Sequence, residues 1–199
     1  MEIYKCSSIS SEDNPIYAKL ILGGTTSVGK SFLLSKIQSY YNKEIEFAKL
    51  DKNYTPTIGV DPISFGYKIN NHLFRAQIWD ISGQERFKDK IYYYARGALS
   101  ILLLYNSFDR DSFNGAIETY INLYKLYPNS IYVLIRSKYD LDFKNENKNN
   151  DFVSDEEALE FTEKNNIIFS HISCYEKYED GIKELFETIF LKYLKKIKI

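Results

Sequence analysis

Residues Gly24-Thr25-Thr26-Ser27-Val28-Gly29-Lys30-Ser31 carry the spacing G-x-x-x-x-G-K-[ST] at every fixed position. That pattern serves phosphate chemistry. A tight loop from Thr26 through Val28 and Gly29 to Phe32 turns successive backbone N–H groups inward as a cradle for phosphate oxygens. Glycine lets the backbone approach the ligand closely, and the N-terminus of a following helix adds positive potential. Lys30 would pair with the β- and γ-phosphates and Ser31 would ligate Mg²⁺. The bland alternative is a chance match in a turn rich in Gly, Ser and Thr. An apolar run before the loop and another after it supply the strand and helix that the phosphate reading needs. The loop is therefore expected to hold a nucleoside triphosphate.

A second group of residues bears on hydrolysis. Asp80-Ile81-Ser82-Gly83 follows an apolar run ending in Trp79. An Asp at such a strand end can hold a Mg²⁺-bound water. Gly83 can offer its N–H to the γ-phosphate, and Gln84 stands where a side chain could orient an attacking water. Asp-x-x-Gly alone is usually just a turn; its weight here comes from its place after a second strand downstream of the phosphate loop.

These residues need a scaffold. Ile16–Leu22 reads as a strand and Lys30–Tyr41 as a helix. Ile63–Ile69 and Leu73–Trp79 bracket Asn70-Asn71, a hairpin signal. Ile101–Tyr105 and Ile131–Ile135 are fully apolar, the mark of strands buried on both faces. Ser112–Tyr124 between them has helical spacing, and Ile167–Ile172 is another strand candidate. Ser154-Asp155-Glu156-Glu157 is a capping box that opens a helix. Ile182, Leu185, Phe186, Ile189, Phe190, Tyr193, Leu194 and Ile197 mark one face of a last helix. Strands alternate with helices, so an α/β fold with a mostly parallel sheet is expected. Residues 1–15 read as a flexible leader ahead of a single domain over 16–199, with a polar loop at about 143–152.

Composition narrows the function. The chain has 199 residues, 44% of them hydrophobic, and a formal net charge of -1. A near-neutral balance gives no pull toward nucleic acid or anionic membrane. The only cysteines are Cys6 and Cys174, and the two histidines add no metal spacing, so a reducing, intracellular setting is expected. The start lacks an apolar signal-peptide core, and Glu2 excludes N-myristoylation.

The motifs together resemble a known family. Trp79-Asp80-Ile81-Ser82-Gly83-Gln84-Glu85-Arg86-Phe87 looks like the WDTAGQERF segment of Ras-superfamily small GTPases, above all the Rabs. Tyr54-Thr55-Pro56-Thr57-Ile58-Gly59-Val60-Asp61 resembles the Rab switch I. Tyr94-Ala95-Arg96-Gly97-Ala98 and Leu104-Tyr105-Asn106 resemble the Rab YYRGA and VYD segments, in family order across about residues 16–190. The resemblance implies a three-layer P-loop NTPase fold: a six-stranded sheet with one antiparallel edge strand and helices on both faces. It implies a monomeric switch that binds GTP and GDP with Mg²⁺. Thr57 would ligate the metal and sense the γ-phosphate, and Gln84 would make the protein a slow GTP hydrolase. Effectors would read the switches around Thr57, Trp79 and Tyr94. An exchange factor and a GTPase-activating protein would set the timing, plausibly in vesicle traffic.

Base choice falls to Ser137-Lys138-Tyr139-Asp140, where the family has Asn-Lys-x-Asp. A carboxylate at Asp140 can accept both N1–H and the N2 amine of guanine, a donor pair that adenine lacks. Lys138 can lay its stem along the base. Ser137 replaces the usual Asn and reaches less far. In His171-Ile172-Ser173-Cys174-Tyr175, Ser173 matches the family's Glu-Thr-Ser-Ala-Lys. Cys174 sits where a backbone N–H would meet the guanine oxygen, and Tyr175 could stack on the base where the family has Lys.

Three departures stand out. The stretch from Lys30 to Thr57 is longer than in typical Rabs, with the extra residues within Gln38–Asp51, and leaves Phe47 as the candidate aromatic over guanine. Pro62 replaces an aromatic that Rab effectors read, which points to an irregular or edge start for its strand. The chain ends in a basic patch, Lys192, Lys195, Lys196 and Lys198, without a prenylatable cysteine. Either this C-terminus is truncated, or the protein acts from the cytosol, through a partner or peripherally on endomembranes. The rival function is a GTP-locked binding scaffold that does not hydrolyse; a P-loop ATPase or kinase comes third.

Overall fold

The computed structural model describes residues 2–5, 14–41, 62–81, 88–138, 151–173 and 180–198. Its strands are β1 (Glu2–Lys5), β2 (Ile16–Gly23), β3 (Ile63–Ile69), β4 (His72–Asp80), β5 (Ser100–Asn106), β6 (Ile131–Ser137) and β7 (Ile168–His171). Its helices are α1 (Lys30–Tyr41), α2 (Lys88–Tyr94), α3 (Arg110–Leu126), α4 (Asp155–Lys164) and α5 (Asp180–Lys196). The strands form one sheet in the order β1-β3-β4-β2-β5-β6-β7. From β4 through β2, β5 and β6 to β7 every pairing is parallel, and β3 joins β4 antiparallel. The six expected strands, one of them antiparallel, are thus present.

One strand comes in addition, and it corrects the flexible-leader reading for residues 2–5. Glu2–Lys5 pair antiparallel with Lys68 back to Phe65. The antiparallel strand β3 is therefore not the edge there; β1 is. An open edge on β3 would expose unpaired N–H and C=O groups, and a short segment covers it. Four residues are too few to show a period, so no pattern within them marks this strand. The pairing stops at Phe65, so Ile63, next to Pro62, keeps an outer edge among the described residues.

The hairpin forms as expected. Asn70 and Asn71 both have positive φ, 47° and 62°, the backbone that a two-residue turn between twisted strands requires. Helices then cover both faces of the sheet, because the buried strands alternate. Leu102 and Leu104 of β5 pack toward α1 and α5, whereas Ile101, Leu103 and Tyr105 pack toward α2, α3 and α4. Phe186 of α5 lies on Phe65, and Phe190 stacks on Phe74 with ring centroids 4.3 Å apart. The expected apolar face of α5 is buried except at its end: Tyr193 is half-buried and Ile197, past the helix, is exposed. No helix among the described residues is long and apolar enough to cross a membrane.

Candidate nucleotide-binding site

Parallel strands deliver their loops to one end of the sheet, and ligands bind there. β2 ends at Gly23, β5 at Asn106 and β6 at Ser137, with β5 between the other two in the sheet. The phosphate loop leaves β2 at this end and enters α1. Its glycines are used for space. Gly24 has φ 144°, and a Cβ there would sit 2.6 Å from the carbonyl oxygen of Leu104. Gly29 has φ 104°, and Ser27 is held at φ 66°. The first α1 bond runs from Leu33 N–H to Gly29 O at 3.0 Å. The N–H groups ahead of it fall outside the helical ladder, at the positive end of the helix that favours an anion. Val28 is buried and seats the loop on the core, while Thr26 and Ser27 are exposed at its tip.

Lys30 folds back over this loop. Its Nζ donates to the carbonyl oxygens of Gly24 at 2.9 Å and Thr25 at 2.7 Å. The residue is only 8% exposed. Burial lowers its pKa, and the charge of Asp80 works in the opposite direction. Asp80 shows the mirror image: burial raises its carboxyl above the ordinary range, and Lys30 lowers it. The two expected phosphate- and metal-side residues are thus electrostatic neighbours. Asp80 Oδ1 is buried with no hydrogen-bond partner among the described residues, as is Thr25 Oγ1. A buried carboxylate oxygen without a donor suits a hydrated cation. A carboxylate with the hydroxyl of Ser31 is an all-oxygen donor set, which fits Mg²⁺.

Ser137 reaches the same place from β6. Its Oγ donates to Tyr105 O at 2.8 Å, and its Cβ lies 3.8 Å from where a Cβ on Gly29 would be. It therefore ties β6 to β5 and abuts the phosphate loop. Lys138 follows in the left-handed conformation, φ 56°. Ser173 is buried two residues past β7, after Ile172 N–H has bonded Arg136 O at 2.8 Å. Trp79 and Tyr94 are brought together, ring centroids 5.8 Å apart, with the Lys19 ammonium 5.3 Å from the Trp79 ring. Thr57, Gly83, Gln84, Asp140, Cys174 and Tyr175, with Phe47, lie outside the described residues.

The family model for the Ras family matches residues 19–195. The chain belongs to the Ras family. Among its relatives, Ras-related protein Rab-2B of Dictyostelium discoideum is 34% identical over 185 residues, spanning 90% of this chain and 82% of the relative. Ras-related protein Rab-11B of the same organism is 33% identical over 182 residues, 89% and 76% of the two chains. Ras-related protein Rab-17 of Mus musculus is 29% identical over 185 residues, 92% and 78%. This is a Rab-like small GTPase, a guanine-nucleotide-binding hydrolase.

Sequence reasoning missed the support behind this site. Arg136 of β6 reaches Asp155, and Arg110 at the start of α3 reaches Glu157, so both are tied to α4. The signal was available in part: a charged residue closes the apolar run Ile131–Ile135 where the strand pattern predicts burial. The capping box also differs from expectation. Ser154 Oγ accepts from Glu157 N–H at 3.2 Å, but the Glu157 carboxylate turns to Arg110, at 2.6 and 3.0 Å, instead of back to the cap.

Proposed function

We propose that this Rab-like GTPase is a timed switch that binds Mg²⁺·GTP, hydrolyses it slowly and changes partners when the γ-phosphate leaves. The observation that carries the reading is buried Lys30, folded over the phosphate loop, beside half-buried Asp80, whose Oδ1 is buried with no hydrogen-bond partner among the described residues. Lys30 and the loop N–H groups would bind the β- and γ-phosphates and keep bulk water from them. Ser31, Thr57 and Asp80 would hold Mg²⁺, which neutralises charge on the transferred phosphoryl group. Gln84 would orient the attacking water, and Gly83 N–H would hold the γ-phosphate. Hydrolysis would release Thr57 and its loop. Asp140 and Lys138 would select guanine, with Ser173, Cys174 and Tyr175 closing the base side. Effectors would dock around Thr57, Trp79 and Tyr94, from the cytosol or at endomembranes, in vesicle traffic.

Chromatography of the nucleotide released from fresh protein, repeated after incubation with GTP and Mg²⁺, tests the switch. Bound GDP with slow conversion of GTP is expected. GTP that persists would mean a locked scaffold. Gln84→Leu should leave nucleotide affinity within about twofold and slow turnover roughly tenfold or more, since general-base or water-positioning groups contribute at least that much. Unchanged turnover would remove Gln84 from the mechanism.

A further inference from the structure

Arg136 is a buried charge that the phosphate chemistry does not use. It is 1% exposed, yet it sits in β6 immediately before Ser137 and Lys138. Strand alternation sends its side chain to the face opposite Ser137. There Nη1 donates to Asp155 Oδ1 at 2.5 Å, and the guanidinium lies 5.6 Å from the centre of the Phe152 ring. Burying a guanidinium is costly unless it is paired and hydrogen-bonded. An aliphatic residue would fill an interior strand position without that cost.

The surroundings indicate what the charge contributes. The Arg136 carbonyl accepts from Ile172 N–H at 2.8 Å, next to Ser173. Its side chain grips Asp155, the first residue of α4. Arg110, from the start of α3, adds a second grip on the same stretch: Nη2 donates to Phe152 O at 2.7 Å, and both terminal nitrogens reach the Glu157 carboxylate. Val153 N–H donates to Ser107 O at 2.8 Å, and the Phe152 ring meets Phe108 edge-on. One residue thus joins three segments that converge on the base side: β6 before Ser137, the stretch after β7 that carries Ser173, and the N-terminus of α4.

We propose that Arg136 is a positioning residue for guanine: its pair with Asp155 and its seat on Phe152 fix the end of β6 so that Ser137 and Lys138 stand at the base. The inference rests on the guanine reading above. It is specific to geometry, so it concerns selectivity as well as retention. Inosine diphosphate lacks the N2 amine of guanine, so the ratio of GDP to IDP affinity reads how well the base side is positioned.

The test compares wild type, Arg136→Met, Asp155→Asn and Ile189→Ala. Asp155→Asn weakens the pair from its solvent side and keeps the protein measurable if Arg136→Met folds poorly. Ile189→Ala opens the core beneath α5, away from the base side, and controls for lost stability. GDP, IDP and ADP affinities and the GDP release rate are measured on each. Arg136→Met and Asp155→Asn should release GDP about tenfold faster and lower the GDP/IDP ratio about fivefold or more, as expected for weakened polar recognition of a base. Ile189→Ala should melt earlier with the ratio unchanged. A wild-type ratio kept by both clasp variants would overturn the inference and leave the guanine reading standing. Equal affinity of the wild type for GDP and ADP would instead overturn the guanine reading itself.

Discussion

Two glycines with positive φ allow the phosphate loop to be tested without touching its charges. At Gly24, a Cβ would meet Leu104 O at 2.6 Å and Val28 Cγ2 at 3.0 Å, with φ at 144°. At Gly97, φ is 73° and nothing lies within 4 Å. Gly97→Ala therefore carries only the left-handed backbone cost, about 1 kcal/mol. Gly24→Ala adds a collision with a backbone carbonyl of a central strand, which neither partner can turn away from. Backbone strain and overpacking together come to roughly 3–4 kcal/mol. For a domain of this length, each kcal/mol moves Tm by about 2–4 °C. Gly97→Ala should lower Tm by about 2–4 °C, and Gly24→Ala by about 6–16 °C. The second change also displaces the cradle. A hundredfold weaker site forfeits about 2.7 kcal/mol of the stability that saturating nucleotide confers. Melting curves with and without Mg²⁺·GDP measure both quantities. Gly24→Ala should lose most of its nucleotide-induced rise while Gly97→Ala keeps it. Equal Tm losses, or a full nucleotide response in Gly24→Ala, would refute the claim that the loop is built against Leu104.

Two further outcomes follow from single buried groups. Asp80→Asn removes the charge of a half-buried carboxylate whose buried Oδ1 has no partner among the described residues. Its metal-free Tm at pH 7 should match or exceed that of the wild type, while the extra stabilisation that Mg²⁺ gives with GTP should disappear; a lower metal-free Tm with the Mg²⁺ response intact would place the cation elsewhere. Tyr67 is fully buried, and its phenol is raised well above the ordinary value, first by burial and then by Glu187. The unfolded chain then loses this proton first, so the stability it contributes is complete below pH 10 and declines as pH rises above it. Tyr67→Phe should flatten the alkaline limb of stability against pH, measured by urea unfolding between pH 9 and 11; an unchanged slope would mean that Tyr67 does not titrate in that limb.

Much of this protein is local, and local features are legible in a sequence. The loop Gly24–Ser31 needs glycine where the backbone turns, so its residue types announce it. Asn70-Asn71 declares a hairpin because few other residues tolerate two successive positive φ values. The apolar runs of β5 and β6 can only be buried on both faces, and they place themselves at the centre of a parallel sheet. The alternation of strands and helices then fixes which strand ends face the ligand. Other features depend on partners far along the chain. β1 exists because β3 has an edge to fill, and nothing within residues 2–5 says so. Lys30 and Asp80 are 50 positions apart, and the opposing pulls on their pKa values arise only when β2 and β4 lie side by side. Glu157 reads as half of a capping box, but Arg110 offers a charged partner that a lone helix start lacks. Arg136 reads as a strand end; its role rests on an aspartate 19 residues later and a phenylalanine ring from the same turn. The residue types in this chain determined that it holds a nucleotide and in what kind of fold. The tertiary structure alone decided how firmly the base side is held, because that depends on charges which meet only after the sheet has brought them together.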